Sequence, residues 1–135
     1  EKELKPSTLM VVLPDSMMDP IEISNDLHID TIFFSYDLIS KIEFANDFNL
    51  LEKINSNPCQ LLGDEYLNLF QAHHSSIATH YYRKQEKGKE EVLSYLLCAL
   101  IIDIRTLYTE RNYTTKKISR PEQLTNDFFQ CLMKY

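Results

Sequence analysis

Glycine is scarce in this chain, at only two of 135 residues. Phosphate cradles of the P-loop and dinucleotide-binding types need several glycines, because the backbone must come close to the phosphates. Neither motif occurs in the sequence. The composition therefore argues against a nucleotide-binding protein.

Basic residues are also few. The chain has 14 Lys and Arg against 20 Asp and Glu, a net charge of -6 and a pI of about 5.1. Affinity for nucleic acids comes mainly from clustered Lys and Arg that displace counterions. Direct contact of this segment with DNA is therefore not expected.

Cysteines and long apolar runs are limited too. Cys59, Cys98 and Cys131 are odd in number and far apart, which favours reduced thiols and a cytosolic compartment. The longest apolar run, residues 95–102, is far shorter than the roughly 20 residues of a membrane span. The charged first residues are unlike a signal peptide, so we expect a soluble cytoplasmic protein. Because residue 1 is not Met, we also expect the natural chain to begin upstream.

No residue pattern typical of a catalytic or metal site is found. His73 and His80 share a helix face but lie about 10 Å apart along it, and His73 and His74 point in directions about 100° apart, so the i, i+4 pair typical of a zinc site is absent. The acidic residues near the N-terminus occur at turns, where Asp caps backbone N–H groups. We therefore predict no enzyme activity, no cofactor and no metal.

The first third of the chain reads as strands. Residues 9–13, 21–24 and 28–34 are rich in β-branched and aromatic residues, and Pro14, Pro20 and the stretch 24–26 supply a loop and a tight turn between them. These features predict a short antiparallel β meander.

The rest of the chain is predicted to be helical. After Tyr36 the apolar residues recur about every 3.6 positions. This spacing predicts one or two short helices that end at Asn57-Pro58. Two longer helices are predicted at about 64–86, with Asp64 as N-cap, and 89–111, separated by Gly88; together they should form a long antiparallel hairpin. Ser119 to Glu122 has capping-box spacing and predicts a terminal helix from about 121. The predicted fold class is α+β.

The predicted helix 89–111 has two apolar faces. One face has the pattern of a core helix and is formed by Leu93, Leu96, Leu97, Leu100, Ile104 and Leu107. The second, roughly opposite, carries Tyr95, Cys98, Ala99 and Ile102. A short chain covers only one such face easily, so these four residues are the predicted dimer interface. The alternative is a central helix that is buried within the monomer.

The order of these features resembles the sensor half of AraC-type transcription regulators. Residues 9–14 and the aromatic stretch 32–38 look like the last strands of the cupin-like sensor domain, and 57–65 resembles the extended segment before its long helix. Residues 93–111 resemble the family's apolar helix that ends in a basic run, and 118–124 with Phe128 and Phe129 resembles the helix that leads to the DNA-binding half.

The resemblance implies a signal-receiving β region, a helix pair that forms an antiparallel homodimer interface, and two helix-turn-helix units downstream of Tyr135. It divides the chain into the end of a cupin-like sheet (1–35), a helical dimerisation region (36–116) and the start of a connector helix (117–135). The early cupin strands are absent and only His28 lies near the acidic loop, unlike metal-binding cupins. A small-molecule effector is compatible with the resemblance, but the sequence does not identify one.

Two other functions fit the sequence. The chain could be a helical adaptor that binds another protein through the second face of helix 89–111. It could also be a small acidic enzyme with a cupin-like site, if the Asp-rich loop and His28 converged around a metal.

Overall fold

The computed structural model describes residues 3–14, 16–35, 37, 40, 48–111 and 128. The described elements form an α+β fold with a two-stranded antiparallel sheet and three helices. In chain order these are β1 (Thr8–Met10), α1 (Phe48–Ser56), β2 (Cys59–Leu61), α2 (Asp64–Tyr81) and α3 (Lys89–Glu110). The predicted α+β class is confirmed at this level.

The sheet differs from the predicted meander. β1 pairs with β2, so that Thr8 faces Leu61 and Met10 faces Cys59, and the hydrogen bond from Val11 N to Pro58 O (2.9 Å) extends the pairing. Residues 21–24 and 28–34 form no strand, so the prediction of three consecutive paired strands was wrong. The predicted turn at Ser24 does form, with a hydrogen bond from Leu27 N to Ser24 O (3.3 Å).

The physical reason lies in what a strand needs to be stable. A hairpin of two short strands is marginal in water unless a third strand or a helix covers one of its faces. Of the large apolar side chains in 16–35, Ile32 packs on the core, whereas Ile21 and Phe33 remain 76% and 94% exposed. β1 and the residue that follows β2, in contrast, lie against the helices, since Leu9 packs on the larger core cluster and Leu62 belongs to it.

The helices follow the sequence prediction with shifted ends. α1 ends at Ser56, directly before Asn57-Pro58 as predicted, and α3 agrees with the predicted 89–111 to within one residue. α2 ends at Tyr81, five residues before the predicted Glu86, and its N-cap is Gly63, with Asp64 as the first helical residue. Except for Phe128, which is exposed, the predicted terminal helix lies outside the described residues, as do most of the residues between Tyr36 and Phe48.

The core consists of two apolar clusters that share α3. The larger one lies between α2 and α3 and is formed by Leu62, Phe70, Ile77, Leu97, Leu100 and Leu107. The smaller one joins Leu50 and Ile54 of α1 to Tyr108 of α3. α3 is therefore the helix against which the other elements pack.

Candidate functional site

The second face of α3 is exposed to solvent. Tyr95 is 68% exposed, Ile102 is 42% exposed and Ala99 is also exposed, whereas Cys98 at the margin is partly buried. Val92, 37% exposed, belongs to the same face. We call Val92, Tyr95, Ala99 and Ile102 the outer stripe. The described part of the chain does not cover it.

The sequence prediction found most of this surface. It named Tyr95, Cys98, Ala99 and Ile102 but missed Val92. The members of the outer stripe are separated by 3, 4 and 3 residues, which is the spacing of apolar residues along a coiled-coil seam. That spacing was available in the sequence and would have identified Val92 as a member.

The inner face of α3 determines which side points outward. Leu97, Leu100 and Leu107 are 3%, 6% and 0% exposed, and they pack in one cluster with Phe70 and Ile77 of α2. Burying a Leu side chain stabilises a fold by about 1.5–3 kcal/mol. Rotating α3 to bury the outer stripe would expose these leucines, so its orientation is strongly determined.

Polar contacts between α2 and α3 support the same orientation. His73 Nε2 lies 2.5 Å from Asp103 Oδ2, and the hydroxyl of Tyr66 donates a hydrogen bond to Glu110. These contacts pair the beginning of α2 with the end of α3, so the two helices run antiparallel. Near Gly88, the Lys89 ammonium lies 5.1 Å from the centre of the Tyr81 ring.

The C-terminal end of α3 is anchored to the segment before α2. The buried Tyr108 hydroxyl donates a hydrogen bond to Asn57 O (2.7 Å). Arg111 Nη1 donates to Gln60 Oε1 (2.9 Å) and Arg111 Nη2 to Leu61 O (2.5 Å). Gln60, only 1% exposed, donates in turn to Asn57 O (3.0 Å). These contacts hold the C-terminal end of α3, the helix that carries the outer stripe, against residues 57–61.

The Glu110 carboxylate changes the acid–base behaviour of Tyr66. The hydrogen bond from the Tyr66 hydroxyl, together with partial burial and the nearby negative charge, raises the pKa of Tyr66 from 10.0 to about 12. Loss of the proton would break this hydrogen bond and place two negative charges together. Tyr66 therefore serves as a hydrogen-bond donor between the two helices.

The other sequence candidates do not converge. Among the described residues, no group of three or more His, Cys, Asp or Glu side chains could hold a metal ion. His28 contacts its neighbour Asp30 at 3.5 Å on an exposed segment, and Asp15 lies outside the described residues. Cys59 and Cys98 are both free and partly buried.

α3 is both long and apolar. Among the described helices it is the one that is long and apolar enough to cross a membrane by these two criteria. A core helix of a soluble protein meets the same criteria, and α3 also carries Asp103 and Arg105 within its length. The inner face of α3 packs on α2, whereas its outer stripe is exposed.

Comparison with protein-family models, curated proteins and solved structures finds no match to this chain.

Proposed function

We propose that this chain is the signal-receiving and dimerising region of a cytoplasmic AraC-type transcription regulator, which binds DNA through a module outside these 135 residues. The observation that carries the proposal is the exposed outer stripe on a helix whose opposite face forms the core. The helix pair α2 and α3, which follows β2, is the part of the described fold that is compatible with the family resemblance.

A second copy of the chain is the proposed partner of the outer stripe. Stripes of coiled-coil spacing associate by inserting side chains between those of the facing helix, and homodimers with twofold symmetry are the commonest oligomers. The apolar members Val92, Tyr95 and Ile102 would then leave water on association.

Dimerisation gives a physical mechanism for regulation. When two DNA-binding modules are joined, binding of the first raises the effective concentration of the second at its half-site. A signal that changes the spacing of the modules then changes the affinity for DNA. In this proposal the N-terminal extended part receives the signal, and α3 holds the two copies together.

The first test measures the oligomeric state of variants of the outer stripe. The 135-residue chain should sediment as a dimer at micromolar concentration, and Tyr95→Glu or Ile102→Glu should sediment as a monomer, because each change places a charge in the apolar contact. The matched control is Tyr82→Glu, at an 80% exposed tyrosine outside α3, which should remain a dimer. Circular dichroism should show that all variants keep their helices.

A wild-type chain that stays monomeric at every concentration would rule out the dimer. A helical adaptor that uses the same stripe for a different protein would then be the better explanation.

The second test is the reading frame of the gene. The codons that follow Tyr135 should encode two helix-turn-helix units. An unrelated domain or a stop codon at that point would rule out the regulator, even if the chain dimerises.

A further inference from the structure

The acidic and basic residues of the chain are unevenly distributed. Residues 6–40 contain six of the 20 Asp and Glu and no Lys or Arg, so the remaining residues carry 14 acidic and 14 basic side chains. Four of these basic residues, Arg83, Lys84, Lys87 and Lys89, occur within a stretch of seven. The net charge of the whole chain therefore does not describe the electrostatics of that stretch.

The basic stretch lies where the helix hairpin turns. α2 ends at Tyr81 and α3 begins at Lys89, and residues 81–88 are all exposed. We call residues 82–89 the basic tip. It lies at the opposite end of α3 from Arg111, about 33 Å away by helical rise. A large partner can therefore approach the basic tip without displacing the core or the outer stripe.

The charges of the basic tip are not neutralised by the described part of the chain. Arg83, Lys84 and Lys87 take part in neither of the ion pairs between described residues, which are two His–Asp pairs elsewhere. Glu86 is the single acidic residue of the tip, so four basic residues leave it a charge of +3. The two glutamates in the first turn of α3 reduce this field, but the positive end of the helix dipole partly offsets them.

The side chains of the tip are of the types that bind phosphate groups. Contacts of proteins with the DNA backbone come from Arg and Lys, and also from Tyr hydroxyls. Tyr82 is 80% exposed, and its ring contacts that of Tyr81 edge-on at 5.2 Å. A turn presents no helix that could enter the major groove and read base edges. The tip therefore fits a phosphate backbone and is not expected to select a sequence.

We propose that the basic tip binds the phosphate backbone of duplex DNA, in addition to the module outside these residues. The inference rests on the proposed function, because that module holds DNA close to the chain. Tethering raises the effective concentration of a second site to the millimolar range, at which a weak contact becomes occupied. Duplex DNA carries one negative charge about every 1.7 Å, so several basic side chains of one turn contact phosphates together. The tip thus adds affinity that is independent of sequence.

A DNA titration of the 135-residue chain tests the contact. A duplex of about 18 base pairs at about 25 mM salt should shift the NMR amide signals of residues 82–89 with a dissociation constant of about 0.1–1 mM. Three phosphate contacts give a slope of about -2.7 for the logarithm of the association constant against that of salt concentration. Raising the salt to about 100 mM should therefore weaken binding about 40-fold.

Variants of the tip identify the side chains that are responsible. Arg83→Gln/Lys84→Gln should weaken binding at low salt at least about tenfold and reduce the slope to about -0.9, because one phosphate contact is left. Arg83→Lys keeps the charge and should bind like the wild type. The matched control is Lys5→Gln/Lys53→Gln, which removes the same charge outside the tip and should keep the slope. Circular dichroism should show that all these variants are folded.

The outcomes separate the DNA contact from the proposed dimer. Absence of shifts at residues 82–89, or a slope that Arg83→Gln/Lys84→Gln leaves unchanged, would overturn the inference. Tighter binding of polyglutamate or of phosphatidylserine vesicles at equal concentration of negative charge would also overturn it, since an acidic protein or a membrane would then be the better partner. Every tip variant should sediment like the wild type, so these results leave the dimer unaffected. A monomeric chain whose tip still binds DNA would overturn the proposed function alone.

Discussion

At the scale of single residues, the contribution of Tyr66 to the stability of the fold depends on pH. Its hydroxyl donates to Glu110, and its pKa rises from 10.0 to about 12 in the folded chain. A group whose folded pKa is raised stabilises the fold fully below its unfolded pKa and loses this effect as pH rises through the folded value. The contribution of Tyr66 should therefore be intact below pH 10 and disappear between pH 10 and 12.

We expect Tyr66→Phe to lower the free energy of unfolding by less than about 1 kcal/mol below pH 10, because the contact is near the surface. The difference from the wild type should shrink towards zero by about pH 12. Urea unfolding of both proteins at several pH values measures it. In a Glu110→Gln background the effect of Tyr66→Phe should change less with pH, and an equally strong change there would contradict the role of Glu110.

At the scale of elements, the two glycines have different structural roles. Gly88 precedes α3 with a φ of 73°, in the left-handed region, whereas Gly63 precedes α2 with a φ of -74°. A Cβ added at either position would meet no other atom within 4 Å. A substitution to Ala at either site therefore tests the effect of backbone conformation on stability, without a steric clash.

Gly88→Ala should lower the free energy of unfolding by about 1–2 kcal/mol, because residues with a Cβ are strained in the left-handed region. Gly63→Ala is the control and should change it by less than about 0.5 kcal/mol, since the lower entropy of the unfolded chain offsets the weaker N-cap. Chemical denaturation provides both values. Equal costs at the two positions would show that backbone strain at Gly88 is not the cause.

At the scale of the whole molecule, the proposed dimer links folding to concentration. A partner that binds only the folded chain stabilises it by mass action, so Tm should rise with protein concentration. We expect a rise of about 2–5 °C for each tenfold increase. Calorimetry at three concentrations measures it. Tyr95→Glu should remove the dependence, and a wild-type Tm independent of concentration would contradict a dimer that forms through α3.

The sequence by itself determined features that depend on neighbouring residues. The spacing of apolar side chains placed α3 to within one residue and separated its buried leucines from Tyr95, Ala99 and Ile102, because a helix converts sequence spacing directly into faces. Asn57-Pro58 marked the end of α1 for the same local reason: a residue before proline is disfavoured in helical conformation.

Only the tertiary structure decided which segments pair as strands and which contacts anchor α3. β1 pairs with β2, about 50 residues away in the sequence. Residues 21–24 and 28–34, which were also predicted to be strands, have no strand partner in the described chain. The contacts of Tyr108 with Asn57 and of Arg111 with Gln60 span similar distances in sequence. Strand pairing and buried polar contacts depend on what the folded chain brings alongside, and no local pattern contains that information.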